Sequence, residues 1–149
     1  MPTKNAGHGR CDITVDGDLI VLEAYGPWNK EFFIQLHTDL YYSALELRDS
    51  GCEHYGILVN MHGNALLVQD AIDYHSEFVK LAQTDAVAMD LCDCDTPGIT
   101  RDIFNRIYAC GSFDYAFFER PSEARIWLEQ RIKSKRQNLD HPESAPSIA

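Results

Sequence analysis

A chain of 149 residues with 45% hydrophobic, 24% charged and 11% aromatic residues is the right size for one domain with its own core, and its composition excludes global disorder. Its 13 Lys and Arg face 23 Asp and Glu, a formal charge of −10, and residues 131–149 hold four of the basic residues (Arg131, Lys133, Lys135, Arg136) but only two acids (Asp140, Glu143). Residues 1–130 are therefore strongly acidic, which argues against nucleic acid or an anionic membrane surface as primary partner and leaves a basic protein partner open.

In chain order, Arg10–Val15 alternates polar and apolar residues, Asp16-Gly17-Asp18 follows, and Leu19–Tyr25 is a second apolar run. Two such runs around Asp-Gly predict a β-hairpin. Gly26-Pro27-Trp28 then breaks the strand, and Asn29 suits the N-cap of a helix. Phe33, Leu36, Leu40, Ala44 and Leu47 recur at steps of three and four, predicting a long amphipathic helix that ends before Gly51. Tyr55–Asn60 reads as a strand buried on both faces, and Ala71, Ile72, His75, Phe78, Val79 and Ala82 form the stripe of a second helix. That helix starts weakly, because Val68-Gln69-Asp70-Ala71 puts no capping side chain at the expected position. Ala86–Leu91 predicts the next strand and Ile103, Phe104, Ile107 and Tyr108 the buried face of a third helix. Tyr115–Phe118 and a helix from Pro121 through Ala124, Trp127, Leu128 and Ile132 complete the pattern.

The order strand-strand-helix followed by three more strand-helix units predicts an α/β fold: a mostly parallel five-stranded sheet with an antiparallel N-terminal edge, right-handed crossovers and four helices. The predicted domain spans residues 8–133, with a flexible N-terminus over 1–7 and a disordered C-terminal tail over 134–149. No run approaches ~18 apolar residues, no signal-peptide pattern opens the chain, and the five cysteines (Cys11, Cys52, Cys92, Cys94, Cys110) form no Cys-x-x-Cys pair. These features predict a cytoplasmic protein with reduced thiols and no integral membrane segment.

The same element order, with Asp16-Gly17-Asp18-Leu19-Ile20 in the first hairpin, Gly26-Pro27-Trp28-Asn29 at the start of the first helix and Phe118 through Ala124-x-x-Trp127-Leu128 at the close, resembles the STAS superfamily. The likeness is closest to its SpoIIAA-like branch of anti-sigma-factor-antagonist-like proteins and spans about residues 8–132. It implies a bacterial, regulatory protein-interaction module without enzymatic activity or cofactor. One feature departs from the family. The antagonists carry a phosphorylated serine at the start of the second helix, whereas residues 56–74 contain neither Ser nor Thr, and Ser76 falls inside the helical run.

In open α/β sheets ligands bind beyond the carboxyl ends of the strands. Three loops are expected there, Gly26–Asn29, Asn60–Asn64 and Cys92–Pro97, and from them Trp28, Asn60, His62, Asn64 and Asp95 are the candidate residues of a recognition surface or small pocket. Cys92-x-Cys94 with Asp90, Asp93, Asp95 and His62 has some metal-ligand character, but a closed zinc site wants four converging ligands, so no metal site is assigned. A Cys92 or Cys94 nucleophile beside His62 lacks a third group, no catalytic or phosphate-binding motif is present, and His37 and His75 on helix stripes read as packing residues. The surplus of Phe32, Phe33, Leu36, Tyr41, Tyr42, Phe104, Tyr108 and Trp127 opens a second reading, a carrier or sensor of a small nonpolar, lipid-like ligand, and a homodimer interface could use the same residues.

Overall fold

The computed structural model describes residues 9–140, so the N-terminal segment 1–7 and the end of the tail, residues 141–149, lie outside the described residues. The elements are β1 (Arg10–Asp16), β2 (Leu19–Tyr25), α1 (Lys30–Asp49), β3 (Gly56–Gly63), α2 (Gln69–Leu81), β4 (Ala86–Cys94), α3 (Pro97–Tyr108), β5 (Asp114–Phe118) and α4 (Pro121–Asp140). They form one five-stranded sheet in sequential order, with β1 antiparallel to β2 and the remaining pairs parallel. The α/β fold read from the sequence is therefore the fold of the protein. Gly17 (φ +63°) takes the first central position of the two-residue turn between Asp16 and Leu19, where a type II′ hairpin needs glycine.

The period of two along each strand divides the core between the two faces of the sheet. Ile20, Leu22, Ala24, Val59, Met61, Val87, Met89 and Leu91 face one way and pack under α1, α2 and α3. Leu19, Val21, Leu58, Ala86 and Ala88 face the other way and pack under Ala124, Leu128 and Ile132 of α4. One helix is too narrow to cover a five-stranded sheet, so α4 leaves the carboxyl half of that face open. Glu23, Asn60 and Asp90, which share one register across β2, β3 and β4, mark where its cover stops.

Helix starts follow the local chemistry. Asn29 caps α1 by accepting a hydrogen bond from the Phe32 amide (3.0 Å). Val68 makes no side-chain cap on α2, in keeping with the weak start expected there. Three boundaries differ from the sequence reading. β3 continues through Met61, His62 and Gly63, and β4 through Cys94: Asn60 donates to Glu23 of the neighbouring strand, and Asp90 accepts from the Cys92 amide of its own strand where the β3–β4 register shifts. α4 runs to Asp140, past residue 133, and its basic residues are tied to the acidic body: Lys135 to Asp114 (3.6 Å), and Arg136 to Asp18 (2.7 Å) and the His54 carbonyl (3.3 Å). The polarity of this stretch is that of a solvated helix face. No helix among the described residues is long and apolar enough to cross a membrane.

Candidate functional site

The three loops expected at the carboxyl rim do converge. Gly26 N–H donates to the His62 carbonyl (3.4 Å), Trp28 N–H to the Leu66 carbonyl (2.9 Å) and Asp95 N–H to the Gly63 carbonyl (2.8 Å). The five candidate side chains nevertheless go to three different places. Asn64 and Asp95 are exposed on the rim. Asn60 and His62 belong to β3 and stand on the open part of the α4 face. Trp28 is only 3% exposed and turns under the sheet's other face, among Phe32, Phe33 and Phe104. Its backbone sits at the rim while its indole fills the core, because an apolar ring this large is buried wherever a layer is available.

On the open face, Asn60 Nδ2 donates to Glu23 (2.6 Å), and the ring of His62 lies between Glu23 (2.7 Å, Nε2) and Asp93 (2.6 Å, Nδ1). Tyr25 stacks on His62 with centroids 4.5 Å apart, and the Arg10 guanidinium lies 4.1 Å from the Tyr25 ring centroid. Partial burial works against a charge on His62, but the hydrogen bonds to Asp93 and Glu23 outweigh it and raise its pKa above the ordinary histidine value. Both ring nitrogens are engaged, so His62 is not placed as a base for Cys92 or Cys94. Cys94 Sγ instead lies 3.4 Å from Thr100 Oγ1, and Cys92 is exposed. Burial, with Asp12, Asp39 and Glu23 nearby, pushes the Cys11 thiol up to about 12 and keeps it protonated. Among the described residues no group of three or more His, Cys, Asp or Glu is arranged to hold a metal ion.

Glu23 is the partner that sequence reasoning does not join to Asn60 and His62, whereas it groups Asp93 with His62 only as a potential metal ligand. A signal was present. The first polar residue to interrupt the apolar run of each central strand is Glu23, Asn60 or Asp90, and the parallel register aligns them. Pairing them required strand order, which the hydrophobic pattern alone does not supply.

The layer between the sheet and α1–α3 holds the other concentration of unusual groups. His37 of α1 and His75 of α2 are both 6% exposed and hydrogen-bonded to each other, Nε2 to Nδ1, at 2.8 Å. Phe78 stacks on His37 (3.7 Å) and Phe33 on His75 (4.6 Å), with Tyr74, Phe104 and Tyr108 closing the box. Burial lowers both pKa values, that of His37 to about 4, and the neighbouring His37 pushes His75 further the same way. His62 is thus expected to titrate above 6.5 in a two-dimensional NMR pH series, while His37 titrates only near 4 and His75 also stays neutral well below 6.5. If His37 and His75 titrated near 6.5, the box would be open to water.

Beside this box lies an apolar cavity of about 50 Å³, lined by Trp28, Phe33, His75, Phe78, Phe104 and Tyr108 together with sheet residues such as Leu22 and Val59. A second, open space of about 300 Å³ forms a groove between α1 and α2, walled by Tyr41, Ala44, Leu45 and Arg48 on one side and Phe78 and Leu81 on the other, with Tyr55 and Ile57 beneath. Cavity and groove share Leu40, Ile57, Phe78, Ala82 and Thr84, so these side chains form the wall between the groove and the space beside Trp28. Of the surplus apolar residues, Phe32, Phe33, Leu36, Phe104 and Tyr108 belong to this layer, whereas Tyr41 and Tyr42 are exposed and Trp127 packs on Phe118 under α4. No protein-family model, curated protein or solved structure matches the chain.

Proposed function

We propose that the chain is a non-enzymatic, STAS-like binding module that takes up a small nonpolar molecule between its sheet and helices α1 and α2. The observation that carries this reading is the position of the open groove directly against the inner cavity, with Leu40, Ile57, Phe78, Ala82 and Thr84 lining both. At about 300 Å³ the groove lies at the lower end of the ~300–1,000 Å³ typical of ligand pockets. Its lining is largely aliphatic and aromatic, and Leu81 at its edge is 81% exposed. An apolar ligand covering these groups would be driven in by the loss of their contact with water. Regulation would follow from ligand occupancy, since the serine through which the resembled antagonists are switched has no counterpart in residues 56–74.

A protein partner is the second reading, favoured by two exposed apolar residues at the carboxyl rim, Val68 and Ile99, each 57% exposed at the first turns of α2 and α3. Asp93 and Asp95 at the end of β4 are also exposed, and apolar and acidic groups together suit a basic and apolar peptide surface.

The two readings separate in a titration with the neutral dye N-phenyl-1-naphthylamine. Saturable fluorescence gain, reversed by nonane, is expected for the wild type. Ala44→Trp fills the groove, and Leu81→Lys puts a charge on its edge at an exposed position with little risk to folding. Each is expected to weaken the dye by about tenfold, or ~1.4 kcal/mol. Equal binding by wild type and both variants would dismiss the groove as the site.

A further inference from the structure

We infer that the molecule bound in this compartment is an apolar compound ending in a neutral carbonyl, and that Trp28 Nε1 donates a hydrogen bond to it. The inference rests on the proposed function and specifies its ligand. Trp28 is 3% exposed and lines the inner cavity, and its Nε1 is buried without a hydrogen-bond partner among the described residues. Its rings contact Phe32, Phe33 and Phe104, which offer no lone pair. Buried N–H groups are nearly always paired, so an orphan donor on the wall of a cavity marks where an acceptor is to come from.

Two alternatives to a carbonyl fit less well. A trapped water needs about two to four polar partners. The cavity lining offers few: Thr84 Oγ1 is engaged by the Tyr55 and Ala86 carbonyls (3.2 and 3.4 Å) and His75 Nδ1 by His37, which leaves the Tyr108 hydroxyl and His75 Nε2 as the side-chain polar atoms of the lining besides Trp28 Nε1. At Trp28 a carboxylate would be a charge with nothing to neutralise it, because the two histidines of the layer are held neutral by burial and the inner cavity is lined by no Lys or Arg, Arg48 being on the wall of the outer groove. A ketone or aldehyde oxygen accepts one hydrogen bond and carries no charge. The groove has room for roughly ten groups of water size at ~30 Å³ each, so a single chain fits and a two-tailed phospholipid does not.

The test compares nonane with 2-nonanone, which differ in the carbonyl. It uses the Trp127→Phe protein, in which Trp28 is the sole indole, and reads the indole N–H resonance by NMR alongside the affinity. Both probes are expected to bind, with 2-nonanone about tenfold tighter and alone in moving the indole proton downfield. Trp28→Phe is expected to remove that preference while retaining nonane. Equal affinities, or an indole resonance that 2-nonanone leaves in place, overturn the inference but leave the apolar compartment standing. Failure of both probes to bind overturns the compartment as well.

Discussion

Lowering the pH from 7 to 4.5 is expected to destabilise the protein by about 2 kcal/mol through His37 alone, with His75 adding in the same direction. The sign follows from proton uptake. In the unfolded chain His37 binds a proton near pH 6.5, whereas burial holds it at about 4 in the fold, so between these values the unfolded state carries more protons and stability falls as pH falls. The loss is absent above 6.5 and complete near 4. His62 acts at the other end: its raised pKa contributes stability that is present below 6.5 and disappears as pH climbs through the raised value.

Urea unfolding of the wild type and of the double variant His37→Leu/His75→Phe separates these effects. The pair shares one hydrogen bond in an aromatic box, and exchanging both partners for apolar side chains removes the buried polar atoms together, a change that is close to neutral at pH 7. The double variant is expected to lose much of the acid sensitivity between 6.5 and 4. His75→Leu alone leaves His37 Nε2 unpaired and is expected to cost about 1–3 kcal/mol at pH 7. A double variant with the wild-type pH dependence would place the acid sensitivity elsewhere, among carboxylates. Because His75 and Phe78 line the compartment, acid loosening of α1 from α2 is also expected to release bound dye over the same pH interval.

Gly26→Ala is expected to cost about 3 kcal/mol, at the upper end of what one added methyl does in a packed site, and to lower Tm by roughly 10 °C. A Cβ at Gly26 would sit 2.3 Å from the Asn64 carbonyl oxygen and 3.1 Å from Ala65 Cα. Both are backbone atoms of the connection between β3 and α2. That connection cannot yield easily, since Trp28 N–H holds the Leu66 carbonyl (2.9 Å) and Thr100 Oγ1 holds the Ala65 carbonyl (2.9 Å). Gly98→Ala is the matched control. Nothing lies within 4 Å of a Cβ there and the residue is inside α3, so the change is expected to stabilise by up to about 1 kcal/mol. Calorimetry showing similar Tm values for both variants would mean that the rim gives way, and the close approach of Gly26 to residues 64 and 65 would lose its structural importance.

Local patterns along the chain suffice for the elements and their kind. Asn29 as a cap, Asp-Gly as a turn, the helix stripes and the doubly buried strands are local patterns, set by hydrogen-bonding capacity and by periods of 2 and 3.6 residues that need no knowledge of the rest of the chain. The strand ends were less legible: a polar residue such as Asn60 looks like an exit from the sheet until Glu23 of the neighbouring strand supplies its partner. For the same reason the basic stretch of α4 read as a tail, because Lys135 and Arg136 show their structural use only once Asp114 and Asp18 lie beside them.

Tertiary structure alone decided which face each residue joined. It put Trp28 inside while leaving Asn64 and Asp95 outside, gathered Glu23, Asn60, His62 and Asp93 from three strands, and set His37 against His75 across 38 positions of sequence. These are contacts between residues far apart in the chain. They depend on strand order, register and the side to which each helix returns, and only the assembled sheet fixes those quantities.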